Sequence, residues 1–203
     1  MNFLAHCLLA ARADDTHEPY LVAGGILGDF WKGTVPISWP LTLQTGVRLH
    51  RRIDALSNTH PVVRQSCARF PAELRRLAPI LVDIHADLAL ALHWQHHCAD
   101  PLEAFAQTCY VSISGLNHAP PDLPEDLSRF IRYMRQRDLL CRYGTWEGVE
   151  LCIEGISRRL GKTDFTAPAL AACQSLSESL TDDFQEYFPD LQSGAAEFVR
   201  AAR

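Results

Sequence analysis

The sequence predicts an all-α protein, a single-domain helical bundle over residues 1–203, on three observations. Apolar residues recur at helical spacing, alternating strand-like runs are scarce, and Pro or Gly punctuates the segments at helix-length intervals. A first helix over 2–11 turns Phe3, Leu4, Leu8 and Ala11 toward a core and sets Asn2 and His6 on one face at i, i+4 spacing. A second is expected over 19–29. Pro36 and Pro40 interrupt the chain before a long helix carrying His50 and Asp54, and Pro61 and Pro71 punctuate the chain beyond that helix. Pro79 opens a helix over 80–98 that is hydrophobic nearly all round, which places it at the centre of the domain. After a helix over 101–116, the stretch NHAPPDLP at 117–124 is too short for a domain linker and reads as a loop. Further helices are expected over 125–143, over 145–160 with Gly161 as stop, and over 168–187, then a short acidic terminal one.

With 203 residues, 47% of them hydrophobic, the chain can bury a real core, and no apolar stretch is long enough for a bilayer, so no membrane partner is expected. The opening residues lack the basic region and cleavage pattern of a secretory signal. Seven cysteines without a Cys-x-x-Cys pair favour reduced thiols and a cytoplasmic location over a disulfide framework. A net charge of -5 gives no general reason to expect nucleic acid, and oligomeric state is not legible. The charge is uneven, however. Residues 46–76 carry seven arginines (48, 51, 52, 64, 69, 75 and 76) against Asp54 and Glu73, whereas 164–203 carry seven acids against two arginines. A basic middle suits an acidic partner, while solvated helix faces and internal pairs are the plainer alternative.

The candidate ligands are Asn2 and His6, Asp29, His50 and Asp54, and Asp83 and Asp87, arriving from four helices or helix ends, as metal sites in bundles commonly do. Imidazole and carboxylate without cysteine suit Mn²⁺ or Mg²⁺, with Fe²⁺ or Zn²⁺ as further choices. Such an ion lowers the pKa of a bound water and withdraws charge from a phosphoryl oxygen. Asp29 lies between Gly28 and Gly33, where backbone can approach closely, and Lys32 adds a compact cation. Asp83 and Asp87, one turn apart in an oily helix, need a cation, an arginine or backbone donors. His93, His96 and His97 form a second, weaker group, and His85 lies inside the apolar run. A Gly-x-Ser-x-Gly elbow, a Walker loop and a dinucleotide fingerprint are all missing, which removes the defining feature of three large enzyme classes.

Several separated blocks resemble the bacterial acyl carrier protein phosphodiesterases: Met1-Asn-Phe-Leu-Ala-His6, Leu27-Gly-Asp29-Phe-Trp-Lys-Gly33, Gly46-Val-Arg-Leu-His50-Arg-Arg-Ile-Asp54 and His60-Pro61. Pro79 to Asp83, Asp87, His93-Trp94, Met134, Asp138 to Leu140 and Tyr143 continue the pattern in order. The resemblance implies an HD-phosphatase-like helical enzyme that uses a divalent metal, typically manganese, to remove 4'-phosphopantetheine from holo acyl carrier protein, an acidic substrate. By matching position it implies Asp29, His50 and Asp87 as ligands, supported by His6 and Asp54. Asp83 would orient a ligand or activate water, and Arg51, Arg52 and Lys32 would stabilise phosphate charge. The chain departs from the family pattern at Leu88, Gly25 and Asn58, where histidine, asparagine and aspartate are usual. A carrier-binding relative without catalysis, or a hydrolase of another phosphoester, is the alternative.

Overall fold

The computed structural model describes residues 1–14, 18–118, 123–161 and 164–203, and among these every regular element is helical. The helices are α1 (Phe3–Arg12), α2 (Pro19–Phe30), α3 (Leu41–Thr59), α4 (Pro61–Arg69), α5 (Ala78–Leu92), α6 (Trp94–His97), α7 (Leu102–Ser114), α8 (Glu125–Arg137), α9 (Leu139–Arg142), α10 (Trp146–Leu160), α11 (Thr166–Ser175) and α12 (Ser177–Ala201). Short 3-10 turns occupy Ala72–Leu74 and Gly115–His118. Of the loop expected over 117–124, residues 119–122 lie outside the described residues. No described helix is long and apolar enough to cross a membrane.

As its composition requires, α5 is buried on nearly all sides, packed by α1, α4, α10, α11 and α12. Helix α1 lies against α2, α3 and α5, and α2 packs along α3. One continuous apolar core runs from Met1 to Val199. Helix α12 is tied to α4 by Asp183, whose Oδ2 accepts from Ser66 Oγ at 2.8 Å and Arg69 Nε at 2.9 Å, while its Oδ1 accepts from Arg69 Nη2 at 3.1 Å.

Three expected helices are divided. The 80–98 helix breaks at His93 (φ −107°, ψ 23°), after which the Trp94 indole donates to the Asp100 carbonyl at 2.7 Å and redirects the chain. The 125–143 helix breaks at Asp138, which adopts left-handed backbone (φ 46°, ψ 52°), a conformation that Asp tolerates better than most residues. There the Tyr110 hydroxyl donates to Asp138 Oδ1 at 3.1 Å and accepts from Leu140 N at 2.9 Å, so both sides of the break are held by α7. The 168–187 helix divides at Leu176, whereas Pro189 lies within α12. A proline costs a helix one N–H and crowds the preceding turn, but buried Phe188 and Leu191 anchor the segment on both sides.

Candidate metal centre

The site is built where α2 and α3 approach more closely than side chains allow. A Cβ added at Gly24 would lie 2.7 Å from Gly46 Cα, and one at Gly28 would lie 2.3 Å from His50 Cγ. The missing side chain at Gly28 is therefore the space that the His50 ring fills. On its inner side the ring donates Nδ1–H to the Gly25 carbonyl at 2.7 Å, since a carbonyl oxygen can only accept. That bond fixes the tautomer and leaves the Nε2 lone pair facing Asp54 Oδ2 at 3.2 Å and Asp29 Oδ1 at 3.7 Å. A lone pair opposite two carboxylates is stable only with a proton or a metal cation between them.

Helix α1 brings the second imidazole. His6 is fully buried, its ring stacked on that of His50 with centroids 3.9 Å apart, and its Nε2 lies 3.1 Å from Asp54 Oδ1. Burial, with His50 alongside, pushes the pKa of His6 down to about 3, so it is neutral and free to ligate at ordinary pH. Its Nδ1 is buried without a hydrogen-bond partner. At Asp54, burial alone would raise the carboxyl, but the contacts to His50 and His6 and the N-terminal ammonium outweigh it and hold the group far below the usual carboxylate range. His6, His50 and Asp54 offer three ligand atoms all within 4.8 Å of one another. Two ligands of one ion with bonds of about 2.0–2.6 Å lie at comparable separations. Two imidazoles and a carboxylate with open positions suit a divalent transition ion, and the Nε2 atoms of His6 and His50, each facing Asp54, fit that use.

The remaining candidates divide into rim, bridge and frame. Asp29, 44% exposed, stands at the rim, where partial burial raises its carboxyl. Asp83 reaches the centre through the ammonium of Met1, which lies 3.0 Å from Asp83 Oδ1 and 3.3 Å from Asp54 Oδ1. Burial lowers the basicity of that amine, yet Asp83 and Asp54 more than offset it and raise its pKa to about 10. Asp83 itself is raised by burial, partly countered by the ammonium.

Asp87, expected among the metal ligands, is engaged by backbone amides. Its Oδ2 accepts from Leu4 N at 2.8 Å and its Oδ1 from Ala5 N at 2.9 Å, the first-turn amides of α1, where the N-cap residue Asn2 makes no side-chain cap bond. Burial pushes the Asp87 carboxyl up to about 7 against the pull of those amides. The adjacent Leu88 is buried in the core.

The arginine expectations need one correction. Arg51 Nη2 donates to the Trp31 carbonyl at 2.9 Å and so ties the end of α2 to α3 beside Asp29, and Lys32 is exposed just beyond. Arg52, however, points about 200° around α3 from both His50 and Asp54 and lies over Gly194, Glu197 and Phe198 of α12, away from the centre. Outside the centre, His85 Nε2 meets Ser177 Oγ at 3.1 Å, and the His93 and His96 rings stack 5.8 Å apart without forming a ligand group among the described residues.

Sequence reasoning missed the Met1 ammonium, which no side-chain letter announces, and the carbonyl of Gly25. It gave Gly46 no structural role, although Gly24 and Gly46, one on each of α2 and α3, are where the two helices approach closely.

Residues 1–191 match the family model described as acyl carrier protein phosphodiesterase. Similar proteins carrying that name include one from Escherichia coli O6:H1, 30% identical over 97% of this chain and 98% of its own length. Another, from Salmonella dublin, is 29% identical with the same coverage of both chains. No solved structure shows a significant match.

Proposed function

The chain belongs to the acyl carrier protein phosphodiesterase family, and from that premise we propose that it is a metal-dependent phosphodiester hydrolase that releases 4'-phosphopantetheine from holo acyl carrier protein, leaving the apo carrier. The single observation that carries the metal part of this reading is the convergence of His6, His50 and Asp54. The HD-phosphatase-like character belongs to the same proposal, supported by imidazole and carboxylate groups arriving from separate helices.

His6, His50 and Asp54 would hold the ion, with Asp29 beside them. Mn²⁺ is the first choice, with Mg²⁺ and Fe²⁺ as alternatives. When bound, a divalent ion supplies a water of lowered pKa and withdraws electron density from a phosphoryl oxygen. The protein's own groups do the rest. Asp29, exposed enough to meet substrate and with its carboxyl raised, accepts the proton of the attacking water. The Gly25 carbonyl keeps the proton of His50 on Nδ1, so that Nε2 stays directed at the carboxylates. Arg51 fixes the Asp29 segment against α3, and Lys32 offers positive charge at the mouth to a phosphate. Asp83 steadies Asp54 from the far side through their shared contact with the Met1 ammonium.

The test is incubation of purified protein with holo carrier and Mn²⁺, and then intact-mass measurement of the carrier. The expected result is loss of the phosphopantetheine mass, abolished by chelator. A carrier that binds but keeps its mass would identify a non-catalytic relative, and chelator-insensitive cleavage would refute the metal mechanism.

A further inference from the structure

Ile37 is 91% exposed and Leu41 63% exposed, yet the loop that presents them is held firmly. Gln44 Nε2 donates to the Ile37 carbonyl at 3.2 Å and to the Trp39 carbonyl at 2.8 Å, and Arg48 Nη2 donates to Gln44 Oε1 at 3.0 Å. Trp39 is buried against Trp31, ring centroids 4.6 Å apart, while the Trp31 indole donates to the Thr34 carbonyl at 3.0 Å. A single exposed apolar residue is ordinary on a protein surface, but a pair fixed outward on an anchored loop keeps apolar area in water with no internal gain.

The charges nearby lack an internal counter-ion. At about 100° per residue, Leu41, Arg48 and Arg52 form one stripe along α3. Lys32, Arg48 and Arg52 make no ion pair among the described residues. Turning around α3 from that stripe, the next sector holds Gln44 and Arg51, which bind the 31–40 loop, and the sector beyond it holds Asp54. Leu41 therefore shares the stripe of Arg48 and Arg52, and Ile37 lies on the loop that Gln44 holds, on the side of that stripe toward the Asp54 sector.

We propose that Ile37 and Leu41, bordered by Arg48 and Arg52, form the face on which the acidic carrier protein docks. The apolar pair fills the middle of the contact and the arginines meet carboxylates around it, an arrangement in which apolar anchors set affinity and rim charges set approach and register. The inference rests on the carrier-directed function proposed above and goes beyond it in naming the surface.

The test compares wild type with Ile37→Glu and Leu41→Glu, and with Val111→Glu as a control at a 75% exposed position on α7. Thermal melting checks that each is folded. Steady-state turnover of holo carrier gives KM and kcat, and calorimetry with apo carrier, which lacks the reacting arm, gives Kd for docking alone. Expected are rises of about tenfold or more in KM and Kd for both loop variants, with kcat within about twofold, no change for Val111→Glu, and weaker binding of wild type as salt increases. Unchanged KM and Kd in an active protein would overturn the docking face while leaving the hydrolase reading intact, as would a fall in kcat alone. A wild type that neither binds nor cleaves carrier would overturn both.

Discussion

The Asp183 clamp and the His50 centre both bury carboxylate against cationic or polar groups, and they differ in how completely they do so. At Asp183 the oxygens are taken up by Ser66 and a two-pronged Arg69, one anion against one cation, and nothing is left to bind. Asp87 is closed in the same way by two backbone amides. At the centre, three carboxylates, Asp29, Asp54 and Asp83, converge on a neutral His6, the ring of His50 and one ammonium, with Asp54 still 37% exposed. Surplus negative charge open to solvent is what a cation site requires, whereas saturated charge holds helices together.

The comparison is broken most directly by removing the acceptor on which the centre turns. Asp54→Asn is expected to lower kcat/KM for holo carrier on the order of 10³-fold while leaving the melting temperature little changed, measured by intact-mass kinetics and calorimetry. If activity survived, the open centre would not be the reactive one.

Asp87→Ala should show the reverse pattern. Stranding the amides of Leu4 and Ala5 is expected to cost about 3 kcal/mol in urea unfolding, with a fall in Mn²⁺ affinity far smaller than that of Asp54→Asn. An Asp87 variant that lost metal without losing stability would return this residue to the ligand set.

His85 sharpens the stability side through pH. Burial pushes its pKa down to about 4 from an ordinary 6.5, so the unfolded chain takes up this proton before the folded one. The stability it contributes is complete above pH 6.5 and is lost as pH falls toward 4, roughly 3 kcal/mol at 1.36 kcal/mol per unit. His85→Gln should therefore show a shallower loss of urea stability than wild type over that window, and parallel curves would contradict the assignment.

The smallest expected effect is at the clamp. Asp183→Ala frees Ser66 and Arg69, the latter able to reach water, and should lower the melting temperature by roughly 4 °C with kcat/KM unchanged.

How much of this was legible in the sequence depends on whether each feature is local or long-range. His50 and Asp54 were visible because i, i+4 spacing is a local property of one helix, and the all-α class because apolar periodicity is local too. The amides that Asp87 accepts from were not foreseen, because they lie more than 80 residues away and carry no side-chain signature. Arg52 was placed at the site together with Arg51 by matching position in the family, yet neighbouring residues on a helix diverge by about 100°. The break at Asp138 required left-handed backbone and a tyrosine from another helix, and periodicity reports neither.

The most direct measurement is calorimetric titration of Mn²⁺ into chelator-stripped protein, for wild type, His50→Ala and Asp87→Asn. The expected result is one ion per chain in wild type, at least about 100-fold weaker in His50→Ala and nearly unaffected in Asp87→Asn. Undiminished binding by His50→Ala, or its loss in Asp87→Asn alone, would contradict a centre made of His6, His50 and Asp54.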